Sequence, residues 1–268
     1  MVLGGFAGTW LATRSAEIHW TRAALVPGGV VFVIAIAYLL IARDRTAEPS
    51  RATEAAAAKA EPGALVITHS LVAIAAMYSC VKMTRYAFLF WLPLYMTEHL
   101  RYPNAQAGYA SSAYELIGIA GALTAGYLSE RLRGDRFGVA AVMMVILALL
   151  CATYAQASAA GLEMNLLWIG LIGFFTFGPD TLMAGSALQD IVPARSIGSA
   201  AGFVNGTGSL GQVISPIVVA YVSQHAGWPA LFGGLSVVVA LGALALVPAW
   251  MIRAAARRNG EKGGESAA

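Results

Sequence analysis

The sequence predicts an all-α membrane protein, and three observations carry that expectation. Of its 268 residues, 58% are hydrophobic and only 12% are charged, about half the charged fraction of a soluble domain. The mean hydropathy is +0.68. Apolar runs also recur at lengths near the roughly 20 residues that a helix needs to cross hydrocarbon.

Taken in order, residues 23–42 form a charge-free run of spanning length. Residues 65–96 form a longer one that holds Lys82 and Arg85. Residues 105–129 are interrupted only by Glu115, and 137–160 by no charge at all. Residues 162–188 carry Glu163 at the edge and Asp180 inside. Between Arg195 and Arg253 there is no Asp, Glu, Lys or Arg, and only "SQHAGWP" at 223–229 breaks the run into two helices. Seven full spans are expected. The opening run at 2–12 is too short to cross alone, and it reads as the second half of a helix whose first half is missing.

The segment 43–64 is rich in Ala, Glu and Arg, with Pro49 and Pro62. It reads as a solvated linker. The tail 253–268, which ends "RNGEKGGESAA", is expected to be disordered. With the linker placed on the cytoplasmic side, twelve Lys and Arg fall in inside segments and three outside, leaving Lys82 and Arg85 in the membrane. The positive-inside rule then puts the C-terminus in the cytoplasm of a multi-pass protein.

Other classes find little support. The formal charge is +3, with no basic stripe interleaved with aromatics, so no nucleic acid is expected as a partner. Cys80 and Cys151 lie in apolar runs without CxxC or His spacing, so no metal is expected. His19, His69, His99 and His225 fall near helix ends or in loops. No signal peptide is expected, because Met1 leads into "MVLGGFAGTWLA" without a basic region or a cleavage site. No nucleophile–base arrangement, phosphate-binding glycine loop or cofactor box appears, so neither enzyme nor cofactor is expected.

An internal repeat is visible. "GIAGALTAGYLSE" from Gly118 and "GSLGQVISPIVVAYVSQ" from Gly208 share GxxG followed by a Tyr-[Leu/Val]-Ser-[Glu/Gln] ending. "FWLPLYM" and "FTFGPDTLM" each place a Pro inside a helix. Inverted three-helix repeats with broken helices are what a six-helix transporter half would contain.

"GYLSERLRGDR" at 126–136 resembles the cytoplasmic-loop signature of the major facilitator superfamily through Gly126, Glu130, Arg131, Gly134 and Arg136. On this reading Gly126 lets two helices approach, Glu130 caps or pairs across the loop, and the arginines anchor the inside face. Within the superfamily, several stretches resemble the organophosphate:phosphate antiporters, the family of the glycerol-3-phosphate and hexose-phosphate transporters. They are "RYAFLFWLPLYM" from Arg85, "YELIGIAG" from Tyr114, "GFFTFGPDTLMAGSALQDIVP" from Gly173, "GSAAGFVNGTGSLG" from Gly198 and "AGWPALF" from Ala226.

The resemblance implies twelve helices in two six-helix halves. Residues 1–42 then read as a remnant of the N-terminal bundle, with "GGFAG" at Gly4 matching the fifth helix, and 65–252 as the C-terminal six-helix bundle. The sequence departs from the bacterial patterns at Ser186, Ala201 and Val204, and "GFVNGTGSLG" is closer to the sugar-phosphate exchangers of eukaryotes.

Each charge near a bilayer centre costs roughly 2.5–3.5 kcal/mol on insertion scales, so the membrane charges are the candidate site. Lys82 and Arg85, spaced i,i+3, share one side of a helix. By resemblance Arg85 is the second-half member of an arginine pair that grips phosphate, in the bidentate fork guanidinium provides. Lys82 is either a second ligand or a snorkelling residue. Glu115 is expected to pair with Arg85 when the site is empty. Asp180, behind Gly178-Pro179, is a proton-coupling or gating candidate, or else a helix cap. Asn205 and Ser209 are candidates for substrate hydroxyls, or pack beside Gly202-x-x-x-Gly206. Tyr78, Tyr86 and Tyr114 either donate to an anion or fill the core.

The expected partners are a small anionic substrate (a phosphate ester or phosphate), the lipid bilayer, and a missing N-terminal half encoded upstream or a second copy. The expected function is exchange of an organophosphate for inorganic phosphate by alternating access in a plasma (bacterial inner) membrane. A carrier of another organic anion, such as a carboxylate or phosphonate, and a non-transporting truncated membrane protein are the alternatives.

Overall fold

The structure, a computed structural model, describes residues 22–41 and 67–265. The expected short opening helix, His19 and the linker lie outside the described residues. Two units are separated, residues 1–64 and 65–268. In the first, α1 (Arg22–Ile41) is a 20-residue helix.

The second unit holds long helices joined by short turns. They are α2 (His69–Glu98), α3 (Asn104–Arg131), α4 (Arg136–Ala159) and α5 (Leu162–Thr181). A π-helical turn, Leu182–Ser186, carries α5 into the short α6 (Ala187–Ile191). After a 3-10 turn at Ala194–Ser196 come α7 (Ile197–His225) and α8 (Gly227–Glu265). Thr68 caps α2 by accepting from the Leu71 amide at 3.2 Å, and Asp135 caps α4 through the Gly138 amide at 3.3 Å.

By length and composition, four segments among the described residues qualify as spans: Arg136–Ala159, Leu162–Ile191, Ala194–His225 and Gly227–Ala255. The seven expected spans each fall on a helix, and α1, α2 and α3 are the three that miss this hydropathy and length criterion. α2 and α3 are 30 and 28 residues long, but Lys82, Arg85, Glu115 and many Ser, Gly and Tyr residues dilute their hydropathy. In α1 the apolar stretch is the shorter Gly28–Leu40. A correction concerns the tail, which was expected to be disordered and instead continues α8 through Glu265. The Ala254–Ala256 and Arg257–Arg258 run favours helix.

The packing has a two-fold pattern. Helices α2, α3 and α4 form one set of three, and α5/α6, α7 and α8 the other. The second helix of each set packs on the first of the other: α3 on α5, and α7 on α2. The third packs likewise, α4 on α5 and α8 on α2, while α4 and α8 meet each other.

The repeated GxxG explains the two tightest seams. A Cβ on Gly118 would run into the Phe177 ring, and one on Gly121 into the Phe174 carbonyl. A Cβ on Gly208 would run into the Tyr78 ring, and one on Gly211 into the Ser79 carbonyl. Without a hydrophobic drive between helices in lipid, such backbone approach supplies the dispersion contact. Ser215 Oγ extends the α7–α2 seam by donating to the Met83 carbonyl at 2.9 Å.

Gly126, expected to permit helix approach, has nothing within 4 Å of where a Cβ would be, and neither do Gly202 and Gly206. Among the described residues, therefore, no helix approaches Gly126, and the packing alternative for Asn205 and Ser209 finds no neighbour at Gly202 or Gly206. At one end of the bundle Phe88, Tyr154 and Phe232 interlock. Tyr95 bonds Ser158 at 2.6 Å and Tyr154 donates to Asn165 at 2.9 Å, which ties α2 to α4 and α4 to α5.

The seams predict a selective sensitivity. Gly121→Ala and Gly211→Ala should each destabilise the bundle by about 1–3 kcal/mol or more through overpacking, read as a lower midpoint of thermal unfolding in detergent. Gly206→Ala, which meets open space, should leave that midpoint unchanged.

Candidate functional site

α2 carries its two cations three residues apart, so their Cβ atoms diverge by about 60° around the axis. They reach different neighbours. Arg85 turns toward α5, where its Nη1 donates to Asp180 Oδ2 at 2.5 Å. Its guanidinium also lies over the Phe177 ring, 4.2 Å from the centroid. Lys82 stays at its own level, with Nζ 5.2 Å from the Tyr78 ring centroid and 5.9 Å from that of Tyr86. One ring is a turn before it and the other a turn after, so the ammonium does not run to the membrane surface as a snorkelling lysine would.

Asp180 is 8% exposed. It occupies the last full α-helical turn of α5, immediately after Pro179 and before the π turn. Pro179 has no amide to donate, and the π turn that follows widens the helix. The chain continues helically on both sides of Asp180, which excludes the helix-cap reading. Oδ2 is taken by Arg85, while Oδ1 is buried without a hydrogen-bond partner among the described residues.

The expected Glu115–Arg85 pair is corrected: Arg85 pairs with Asp180. Glu115 is half-buried on α3 and forms no ion pair among the described residues. The cause is geometric. The α3–α5 glycine seam brings α5 against α3, and Phe177 and Asp180, one turn apart, both meet the guanidinium.

Tyr114 is 1% exposed, stacked on Phe88 at 6.0 Å and edge-on to Phe177 at 5.6 Å. Its hydroxyl is buried without a partner among the described residues. It therefore sits behind Phe177, in the core. Tyr86 is half-buried and packs on Phe90 at 5.5 Å. Asn205 is exposed on α7, and its carbonyl accepts from Ser209 Oγ at 2.8 Å.

The loop signature builds a second cluster. The Gly134 amide bonds the Ser129 carbonyl at 2.8 Å, with Arg133 and Gly134 at φ 58 and 75, so the chain reverses in left-handed backbone that favours glycine. Arg136 pairs with Asp190 of α6 and donates to the Ser186 carbonyl at 3.2 Å. Arg253 of α8 donates to the Asp190 carbonyl at 2.8 Å, and Trp250 Nε1 to Asp135 Oδ2 at 3.0 Å. Arg131 lies over the Tyr127 ring at 5.0 Å. Glu130, expected to cap or pair, is exposed and forms no ion pair among the described residues. Asp135 caps in its place. Sequence reasoning missed Asp190, Trp250 and Arg253, although Asp190 sits two residues before the break at Val192-Pro193.

A sequence model described as Major Facilitator Superfamily matches residues 1–134 and again 74–267. The chain belongs to the major facilitator superfamily. That membership makes it an integral, multi-pass member of a carrier superfamily rather than an enzyme, and its described helices form part of the superfamily fold. Among relatives, "Sugar phosphate exchanger 3" of Bos taurus is 27% identical over 169 residues, which are 60% of this chain and 34% of that protein. The same exchanger of Gallus gallus is 28% identical over 58% of this chain and 32% of its own length. A glucose-6-phosphate exchanger of Homo sapiens is 30% identical over 56% of this chain and 29% of its own length. The matched segment thus spans about a third of these relatives. They support the organophosphate:phosphate antiporter resemblance carried by the motifs from Arg85 onward.

The Arg85–Asp180 pair predicts a non-additive cycle. Asp180→Ala strands a guanidinium in the membrane core and should cost about 3–5 kcal/mol. Removing Arg85 as well should recover most of that loss. Unfolding titrations of the two single variants and the double variant check it, and additive effects would mean that the pair is not coupled.

Proposed function

We propose that this superfamily member works in a secondary carrier that exchanges a phosphorylated sugar or similar organophosphate for inorganic phosphate by alternating access. The observation that carries the reading is an arginine kept inside the membrane with one carboxylate as its partner. A guanidinium there is costly, and it matches phosphate oxygens in a two-point fork. The names of the relatives supply the substrate class.

In this reading Asp180 stands in for the anion while the site is empty. An arriving phosphate takes the Arg85 fork, and the displaced carboxylate is the candidate to bind a proton or to report occupancy to the π turn beside it. Phe177 holds the guanidinium plane in place through both states. Glu115, Tyr86, Tyr114 and Asn205 remain candidates around this centre. The bundle at 65–252 forms one wall of the cavity, and a second helical bundle, from the same chain, another chain or a second copy, completes it. The excess of basic residues on the linker side supports a cytoplasmic C-terminus.

Proteoliposomes loaded with labelled inorganic phosphate test the proposal. External sugar or glycerol phosphate should drive label efflux, and Arg85→Ala should reduce it at least a hundredfold with insertion intact. Efflux driven by carboxylates but not by phosphate esters would replace the substrate class. Correct insertion without any exchange would favour a non-transporting role.

A further inference from the structure

Of the two α2 cations, Arg85 is the one used in the reading above, and the second, Lys82, differs from it in what an anion must displace. To take Arg85, an anion must displace a carboxylate that already accepts from its Nη1 at 2.5 Å. Lys82 forms no ion pair among the described residues and lies against two tyrosine ring faces. Ring faces attract an ammonium by about 0.5–2 kcal/mol. They neither neutralise it nor accept its three N–H groups as an oxygen would. Asp180 is near enough to feel the Lys82 charge but forms no ion pair with it, so an oxyanion at Lys82 has no bonded carboxylate to displace.

The surroundings fit that use. A Cβ on Gly208 would fall 3.4 Å from Lys82 Cγ and collide with the Tyr78 ring. The bare backbone of α7 is thus what leaves room for the Tyr78 ring on which the lysine lies. On either side of Gly208, Asn205 and Ser209 are exposed, so polar groups flank the slot. α7 contributes no Asp, Glu, Lys or Arg anywhere along Ile197–His225. The other groups near this centre are Tyr78, Tyr86 and Arg85 from α2, Tyr114 and Glu115 from α3, and Asp180 from α5.

Resting on the anion-carrier reading, we propose that Lys82, cradled by Tyr78 and Tyr86, takes the substrate's anionic group first, and that Arg85 joins only when Asp180 lets go. Lys82 is then the specificity-determining cation of the resting site. Asp180 is the internal competitor that keeps Arg85 from binding anions indiscriminately. Two oxygens of one phosphate, reached from cations one turn apart, give the order of events a direction from the α7 side toward α5.

The test is equilibrium binding of labelled inorganic phosphate to the full chain in nanodiscs. Lys82→Gln should weaken binding at least tenfold, while Lys82→Arg should stay within threefold of wild type. Asp180→Asn, by loosening Arg85, should tighten binding, and in the Lys82→Gln background it should restore at least half of the lost affinity on a logarithmic scale. The lysine variants leave the ion pair intact, so they report even if Asp180→Asn folds poorly. Lys82→Gln within twofold of wild type would overturn the inference and leave the phosphate reading standing. So would a Lys82→Gln/Asp180→Asn double variant that is monodisperse yet binds no better than Lys82→Gln. A wild-type chain that binds no phosphate would instead overturn the phosphate reading, and this inference with it.

Discussion

The pair between Arg85 and Asp180 is the constraint to which the rest of the bundle is fitted. A guanidinium in hydrocarbon needs a partner, and a carboxylate there needs one just as much. Neither helix can carry its charge alone, so α2 and α5 must be held at one separation and one rotation. The glycine seams do this. α3 is locked onto α5 and α7 onto α2, so each charged helix is braced from the opposite three-helix set. The symmetry seen in the packing is therefore also the way the charges are positioned.

The two clusters of polar contacts divide the work. In the core, one ion pair sits on an aromatic platform, with a lysine left over tyrosine faces beside it. At the loop end, Arg136, Asp190 and Arg253 bind α4, α6 and α8 together, and Trp250 reaches back to the acid that caps α4. α5 and α6 take part in both. One continuous helical path thus runs from the acid beside Arg85 to the acid beside Arg136, ten residues further on.

Much of this was legible before any coordinates. Lys82 and Arg85 announce themselves because charge is expensive in an apolar run, and the loop from Gly126 to Arg136 carries its own signature. The GxxG pairs at Gly118 and Gly208 were visible as a repeat, though not what each glycine touches. What could not be read was pairing across helices. Glu115 and Asp180 are both membrane acids, and the choice between them depends on the rotation of α5, which Gly118, Gly121, Gly170 and Gly173 set only in three dimensions. Gly126 misled because a glycine in a motif resembles a packing glycine until its neighbours are seen. The tail was expected to be disordered, and the Ala-Arg run at its start instead continues α8.

The π turn at Leu182–Ser186 works as a phase adjuster. A widened turn accommodates one more residue than an α-helical turn does, and one residue is about 100° of rotation. Asp180 lies before the turn and Asp190 after it, so the two acids answer to different rotational settings of one helix. If the turn relaxed to α geometry, Asp190 would swing away from Arg136 while Asp180 kept its place, or the reverse. The register between the two ion pairs along this one helix is therefore set by a single turn.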